Sequence, residues 1–387
     1  MAAVRSLISS LRLTPAEAVP LKSSASSLIR DSKSVSLNQR PTKLSISCSS
    51  SKDSRRRLVS AAAPPTAAAA APTAEDAPSV PASDAEPAEP PRRRLKVGCH
   101  AAQGRRDEME DHVVVLEDIG AGFLYAGVFD GHAGASSAKF LSDELHDDCM
   151  EALEGGAVLE DEDLTAAEDA LEDAFLQADQ RLLQWLEEHS AQPESGSTGT
   201  VAFVRHDRLF VAHLGDSRAV MAVGGDAEPI SEDHKPSGES AKAKEEIKRI
   251  NKAGGWVSQG RVCGVVAVSR AFGNIAFKTR KEEMMQQGVK KGRWTTRWVS
   301  KRKFDSDWIS ALPDVYATEL TEDAEFVIIA SDGLWDAFSS SEAVAFVRGE
   351  MEKHGDVQQA CEALVHTALH DRETEDNTSV IVISLRD

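Results

Sequence analysis

The run Glu325-Phe326-Val327-Ile328-Ile329-Ala330-Ser331-Asp332-Gly333-Leu334-Trp335-Asp336 sets a continuous apolar strand directly against a carboxylate. Residues 325–331 read as a buried strand, and Asp332 follows at its end. A carboxylate in that position is costly unless it is paired or binds a metal. The arrangement recurs. Residues 123–129 are a β-rich run that passes into Val128-Phe129-Asp130-Gly131-His132-Ala133-Gly134. Glu375-Asp376-Asn377-Thr378-Ser379 places Asp376 just before a closing strand, 379–385. Several such strand ends in one core would converge into an oxygen-rich pocket, of the kind that hard divalent cations such as Mg²⁺ and Mn²⁺ prefer. No Cys/His ligand cluster competes for the role, so zinc is disfavoured.

Around these strands the pattern alternates between periods. Residues 112–117 are another β-rich run, and 199–204, 208–213 and 218–223 read as a β-meander with tight turns. Residues 165–188 predict an amphipathic helix with Leu171, Phe175, Ala178, Leu182 and Trp185 on one face. Thr165 and Glu168 offer a capping box at its start. A charged helix over 239–253 stops at Gly254-Gly255. Two helices follow the 325–331 strand. The first carries a capping box at Ser339 and Glu342, and in the second Cys361, Leu364, Val365, Ala368 and Leu369 share a face. There are no internal repeats. Clustered hairpins beside separate helices predict α+β layers rather than a doubly wound parallel sheet.

Charge divides the chain. Residues 1–58 hold eleven Lys/Arg and three Asp/Glu, a local balance of +8 that leaves −27 on the remainder of a chain whose net charge is −19. An acidic body without a basic stripe excludes nucleic acid and anionic membrane as partners and favours cationic peptides. Five widely spaced cysteines with no CxxC pair, Cys48, Cys99, Cys149, Cys263 and Cys361, predict free thiols in a reducing compartment.

The fourth acidic segment is Gly104-Arg105-Arg106-Asp107-Glu108-Met109-Glu110-Asp111. Taken singly, each segment has a plain structural reading. Asp-Gly is a common turn pair, Glu-Asp clusters sit on solvated faces, and Asp-Asn before a strand makes an Asx turn. Together and in order, the four resemble the motif set of the PP2C (PPM) phosphatases. Three more family-like segments lie between them: 195–200 (Ser-Gly-Ser-Thr-Gly-Thr), 214–218 (Leu-Gly-Asp-Ser-Arg) and 267–273 (Ala-Val-Ser-Arg-Ala-Phe-Gly). Seven ordered motifs over residues 97–385 are far more specific than any one of them.

The resemblance implies a four-layer α/β/β/α sandwich of two antiparallel sheets flanked by helices, with a two-metal site at one end. It implies hydrolysis of phosphoserine and phosphothreonine by metal-activated water, without a covalent phosphoenzyme. Asp130 would bridge two Mg²⁺ or Mn²⁺ ions. Asp332 and Asp376 would hold one ion, and Glu110 and the Gly131 carbonyl the other. Asp216 and Asp336, with Asp332, would form a weaker third position. Asp111 would orient the attacking water, Arg106 would grip the phosphate with its planar fork, and His132 would protonate the departing oxygen. One departure is Asn274, where the family usually has Asp; it bears on hydrogen bonding and charge near the flap that follows.

The first 58 residues, rich in Ser and Arg and poor in acid, read as an organelle transit segment, with processing expected after Cys48 in Ile46-Ser47-Cys48. A chloroplast address fits, and a mitochondrial one is the alternative. Residues 59–94, rich in Ala and Pro, read as a disordered linker, and residues 95–387 as the phosphatase domain. The flap over 275–312 carries basic and aromatic residues, among them Lys278, Arg280, Lys281, Arg293-Trp294 and Arg297-Trp298; most of it reads as a solvated loop able to attract anionic peptides. With the Arg-Asp-Glu-Met-Glu-Asp and Glu-Ser-Gly-Ser-Thr segments, it resembles the thylakoid-associated plant phosphatases that act on light-harvesting antenna proteins of photosystem II. Those relatives end in an apolar anchor. No run here reaches the ~18 apolar residues of a membrane span, so either a form in the stroma or peripheral to the thylakoid is expected, or the tail is absent from this version; a monomer is expected. Two rival readings are a plastid phosphatase for other targets and a phosphoprotein-binding scaffold; retention of Glu110, Asp130, Asp332 and Asp376 argues against the scaffold.

Overall fold

The computed structural model describes residues 95–117, 122–160, 164–205 and 207–386. The expected transit segment (1–58), its processing site at Cys48 and the linker (59–94) lie outside the described residues. In chain order the main elements are β1 (Lys96–Ala102), β2 (His112–Leu116), β3 (Leu124–Phe129), α1 (Ser136–Ala152), α2 (Leu164–His189), β4 (Gly199–Val204), β5 (Arg208–Leu214), β6 (Arg218–Val223), β7 (Asp226–Pro229), α3 (Ala241–Lys252), α4 (Lys281–Lys290), β8 (Asp314–Glu319), β9 (Ala324–Ala330), α5 (Ser340–His354), α6 (Val357–His370) and β10 (Thr378–Ser384). They build two five-stranded sheets, β1-β10-β9-β6-β7 and β8-β5-β4-β3-β2, with all neighbouring strands antiparallel.

Alternation along each strand sends its side chains into two different cores. From β9, Phe326 and Ile328 face α5 and α6, whereas Val327 and Ile329 face the other sheet. In β10, Val380 and Val382 go outward and Ile381 and Ile383 inward. The second sheet mirrors this: Tyr125, Val201 and Phe210 pack under α1 and α2, while Ala126, Ala202 and Val211 meet the first sheet. These central strands are apolar on both faces because each sheet lies between helices and its partner sheet. Such runs are usual in parallel sheets; here a four-layer antiparallel sandwich produces them. Each fully buried Val, Leu or Ile contributes roughly 1.5–3 kcal/mol. The α+β expectation holds.

Helix ends follow local chemistry. The Ser339–Glu342 capping box is present at the start of α5, with Ser339 N–H donating to Glu342 Oε2 at 2.9 Å. Gly355 ends α5 in the left-handed region, and Asp356 caps α6 by accepting from Gln358 N and Gln359 N. The charged helix begins at Ala241, where Ser240 Oγ accepts from Ala243 N. The second expected capping box fails: α2 begins at Leu164, so Thr165 lies within its first turn rather than before it.

The meander is also corrected. β4 and β5 are neighbours, but β6 pairs with β9 in the other sheet. A strand buried on both faces carries no sequence mark of the sheet it joins. Gly215, at φ +102°, turns the chain between the sheets, and a Cβ there would lie 2.5 Å from Thr198 Cβ. The flap is likewise no simple solvated loop. Trp256, Trp294, Trp298 and Trp308 gather around Ile250, Phe277 and Met285 in a small separate core, with the Arg302 guanidinium 3.9 Å from the Trp298 ring centre. Among the described residues no helix is long and apolar enough to cross a membrane.

Candidate active site

Antiparallel pairing places the end of one strand beside the start of its neighbour. His112 opposes Phe129, so Asp111 and Asp130 share a rim; Ala330 opposes Val380, so Asp332 and Asp376 share one as well. The crossover from β5 to β6 adds Asp216. One carboxylate oxygen each from Asp130, Asp216 and Asp332 lie within 4.8 Å of one another. Asp336 is exposed on the helical turn after Asp332 and stands outside that group. Asp376 is ion-paired with Arg106.

Neighbouring polar groups hold these residues in place. Asp130 N–H donates to Thr198 Oγ1 at 3.0 Å, and Thr198 N–H donates back to Asp130 O at 2.9 Å. Glu110 N–H donates to Asn377 Oδ1 at 2.7 Å, and Glu110 Oε1 accepts from Gly134 N. Asn377 Nδ2 donates to the carbonyls of Gln103 and Glu108, tying the segment before β2 to the one before β10. Asp111 Oδ2 accepts from Ser331 Oγ at 2.8 Å. Gly131 passes so close to Glu110 that a Cβ would lie 2.3 Å from its carbonyl oxygen. His132 Nε2 donates to Asn274 Oδ1 at 3.0 Å.

Burial and mutual repulsion act together on the acids. Asp130 is held well above the usual carboxylate range by burial and then by Asp111, Asp332 and Asp216. Asp332 is raised in the same way, against the pull of Lys235. Burial raises Asp216, which Lys235 approaches to 3.4 Å, and it raises Glu110 despite the Gly134 N–H. Burial pushes Asp111 up to about 6. The His132 imidazole is shifted down by burial, with the Asn274 contact opposing. Carboxylates concentrated beyond their cationic partners form an all-oxygen donor set that fits a hard divalent cation.

A protein phosphatase 2C profile matches residues 95–378. The chain belongs to the protein phosphatase 2C family. It is 48% identical over 292 residues to protein phosphatase 2C 57 of Arabidopsis thaliana, covering 75% of each chain. It is 30% identical over 312 residues to probable protein phosphatase 2C 21 of rice, Oryza sativa subsp. japonica, covering 76% of this chain and 84% of that one. A solved serine-threonine phosphatase 2C from Toxoplasma gondii superposes with a TM-score of 0.58 at 21% identity, covering 76% of this chain and 95% of that one, a likeness of fold. The chain is thus a Ser/Thr protein phosphatase of a metal-dependent family, and its acidic cluster is able to hold metal.

Several residues of this phosphatase site escaped the sequence reading. Lys235, 3.4 Å from Asp216, was not singled out, and Asn274 was marked only as a departure from the family's Asp, without its contact to His132. Thr198 and Asn377 stood inside quoted motifs, but their hydrogen bonds depend on strand pairing. Three flap cations have acidic partners: Lys278 is buried against Asp179, Arg280 pairs with Glu187 and Lys281 with Asp307. Among the described residues, Cys99, Cys149, Cys263 and Cys361 are buried and none is in a disulfide. Burial pushes the Cys263 thiol up to about 12, which leaves little thiolate.

Proposed function

We propose that the cluster holds Mg²⁺ or Mn²⁺ and that the enzyme dephosphorylates light-harvesting antenna proteins of photosystem II in the chloroplast. The observation that carries the metal assignment is the meeting of Asp130, Asp216 and Asp332, with Asp216 buried and the other two half-buried. Glu110, Asp130 and the Gly131 carbonyl would hold one ion and Asp130, Asp332 and Asp376 a second; Asp216 and Asp336, with Asp332, would offer a weaker third position. When bound, the ions supply positive charge that acidifies water and offsets the charge of the phosphoryl group.

The protein's own groups do the rest. The Arg106 guanidinium grips phosphate oxygens with its planar fork. Asp111, held by the Ser331 hydroxyl, orients the attacking water and takes up its proton. A P–O bond forms to that water, the P–O bond to the Ser or Thr oxygen breaks, and His132 gives that oxygen its proton. Support for the antenna substrate comes from the flap over 275–312, the two quoted segments and the acid-poor N-terminal stretch.

The test uses the full chain with phosphothreonine peptides, with Mn²⁺ or Mg²⁺ and then with chelator. We expect metal-dependent release, with kcat/KM for antenna-derived phosphopeptides at least about tenfold above unrelated ones, a difference of ~1.4 kcal/mol. Equal turnover of both peptide sets overturns the antenna assignment. Release that persists in chelator overturns the metal assignment.

A further inference from the structure

The apolar face of α2 carries one carboxylate. Asp179 sits among Phe175, Ala178 and Leu182 with 6% of its surface exposed, and its partner Lys278 has 3%. Lys278 Nζ lies 2.7 Å from both carboxylate oxygens. Taking two charges out of water costs several kcal/mol per ion, so a buried pair is weak evidence for stability and calls for another explanation.

Both partners direct their remaining hydrogen bonds to the same short segment. Asp179 Oδ1 also accepts from Gly273 N at 2.8 Å, and Lys278 Nζ also donates to Ala271 O at 2.9 Å. The segment between them turns through two consecutive left-handed residues, Gly273 at φ +68° and Asn274 at φ +54°. A left-handed non-glycine residue persists where its surroundings over-determine it. The Phe272–Gly273 pair lies beside Gly196–Ser197, which in turn lies beside Gly131–His132. Asn274 N donates to Ser195 O at 3.0 Å, and its amide is closed in by Gly196, where a Cβ would lie 2.3 Å from Oδ1. That oxygen accepts from His132 Nε2.

We propose that the Asp179–Lys278 pair is a positioning device for His132: it fixes the Gly273–Asn274 turn, so that Asn274 holds the imidazole in one orientation with its proton on Nε2. This rests on reading His132 as the acid that protonates the leaving oxygen. The ion pair acts through Gly273 and Asn274 and touches no substrate.

The test compares two leaving groups in the full, Mn²⁺-loaded chain. A phosphothreonine peptide expels an alkoxide and needs an acid; 4-nitrophenyl phosphate expels a stabilised phenolate and does not. Asp179→Asn is expected to lower kcat on the peptide by about 10–100-fold, within the range of a general acid's contribution. KM should change by less than about twofold, and kcat on 4-nitrophenyl phosphate by less than about threefold. Asn274→Ala should reproduce this selectivity, and Asp179→Asn combined with Asn274→Ala should be no worse than Asn274→Ala alone, because both act on one contact. Equal losses on both substrates, no loss on the peptide, or additive losses in the double variant overturn the proposal. If Asp179→Asn does not fold, Lys278→Gln carries the same comparison; if neither folds, the pair is structural and the proposal fails. His132→Ala separates the two claims: without leaving-group selectivity in that variant, the general-acid reading itself is wrong.

Discussion

Two groups of buried and half-buried carboxylates lie within the same domain, and their pKa values shift in opposite directions. At the active-site rim, Asp130, Asp216 and Asp332 are raised, because burial and mutual repulsion outweigh Lys235. Between α3 and the start of β8, Glu246 and Asp314 are lowered, Glu246 to about 2, although burial opposes this in both. The difference lies in the cations. Glu246 accepts from Arg249 and Arg270; Asp314 meets Arg270, Lys242, His234 and the Tyr316 hydroxyl. The second group is neutralised by the protein itself and works as a brace. The first keeps an excess of negative charge at a rim, where an external cation can answer it. Counting acids does not distinguish a binding site from a brace; counting the cations around them does.

The contrast can be broken most strongly by Asp332→Ala. We expect phosphate release to fall by at least about a thousandfold, the scale of several kcal/mol of lost charge stabilisation. The melting temperature in chelator should hold or rise, because a repelling charge has been removed. Retained activity breaks the distinction. On the other side, Arg270→Met strips a shared partner from both braced acids and should cost about 3–5 kcal/mol, read as a lower denaturant midpoint. A variant as stable as the parent would mean that the brace is not one.

The smallest expected effect sharpens the comparison. Mn²⁺ at about 100 times its dissociation constant should stabilise the chain by about 2.7 kcal/mol. Protons compete with the ion for Asp130 and Asp332, both raised, and Asp111 beside them has its pKa raised to about 6. A raised carboxylate binds its proton more tightly in the folded state than in the unfolded one. In chelator this makes the folded state lose stability as pH rises from about 4 through 6. Cation binding reverses that loss, so the Mn²⁺-induced rise in melting temperature should be full near pH 7.5 and fade as pH falls below about 6. A pH-independent rise would place the ion elsewhere.

Much of this was legible in the sequence. An apolar run ending in Asp marks a strand end, and pairing brings strand ends together, so the rim that holds Asp130 and Asp332 could be anticipated. The Ser339–Glu342 box was legible because capping is a local interaction. What remained hidden depends on which surfaces meet. The sheet that β6 joins, the tryptophan core of the flap, and the contact of Asn274 with His132 are fixed by residues distant in sequence. Thr165 misled because the capping pattern fits equally well one residue inside a helix.

The pairing of β1 with β10, in which Lys96 opposes Ser384, sets a timetable. β10 is not at an edge: it lies between β1 and β9, and Asp376 and Asn377 lead directly into it. Of the described strands it is the last to emerge from a ribosome. Until it does, the first strand has no partner, the core beneath α6 stays open, and the segment carrying Glu110 lacks its tie to Asn377. Such long-range closure is slow and comes late. A growing chain therefore has no assembled phosphatase site until β10 has been made and seated.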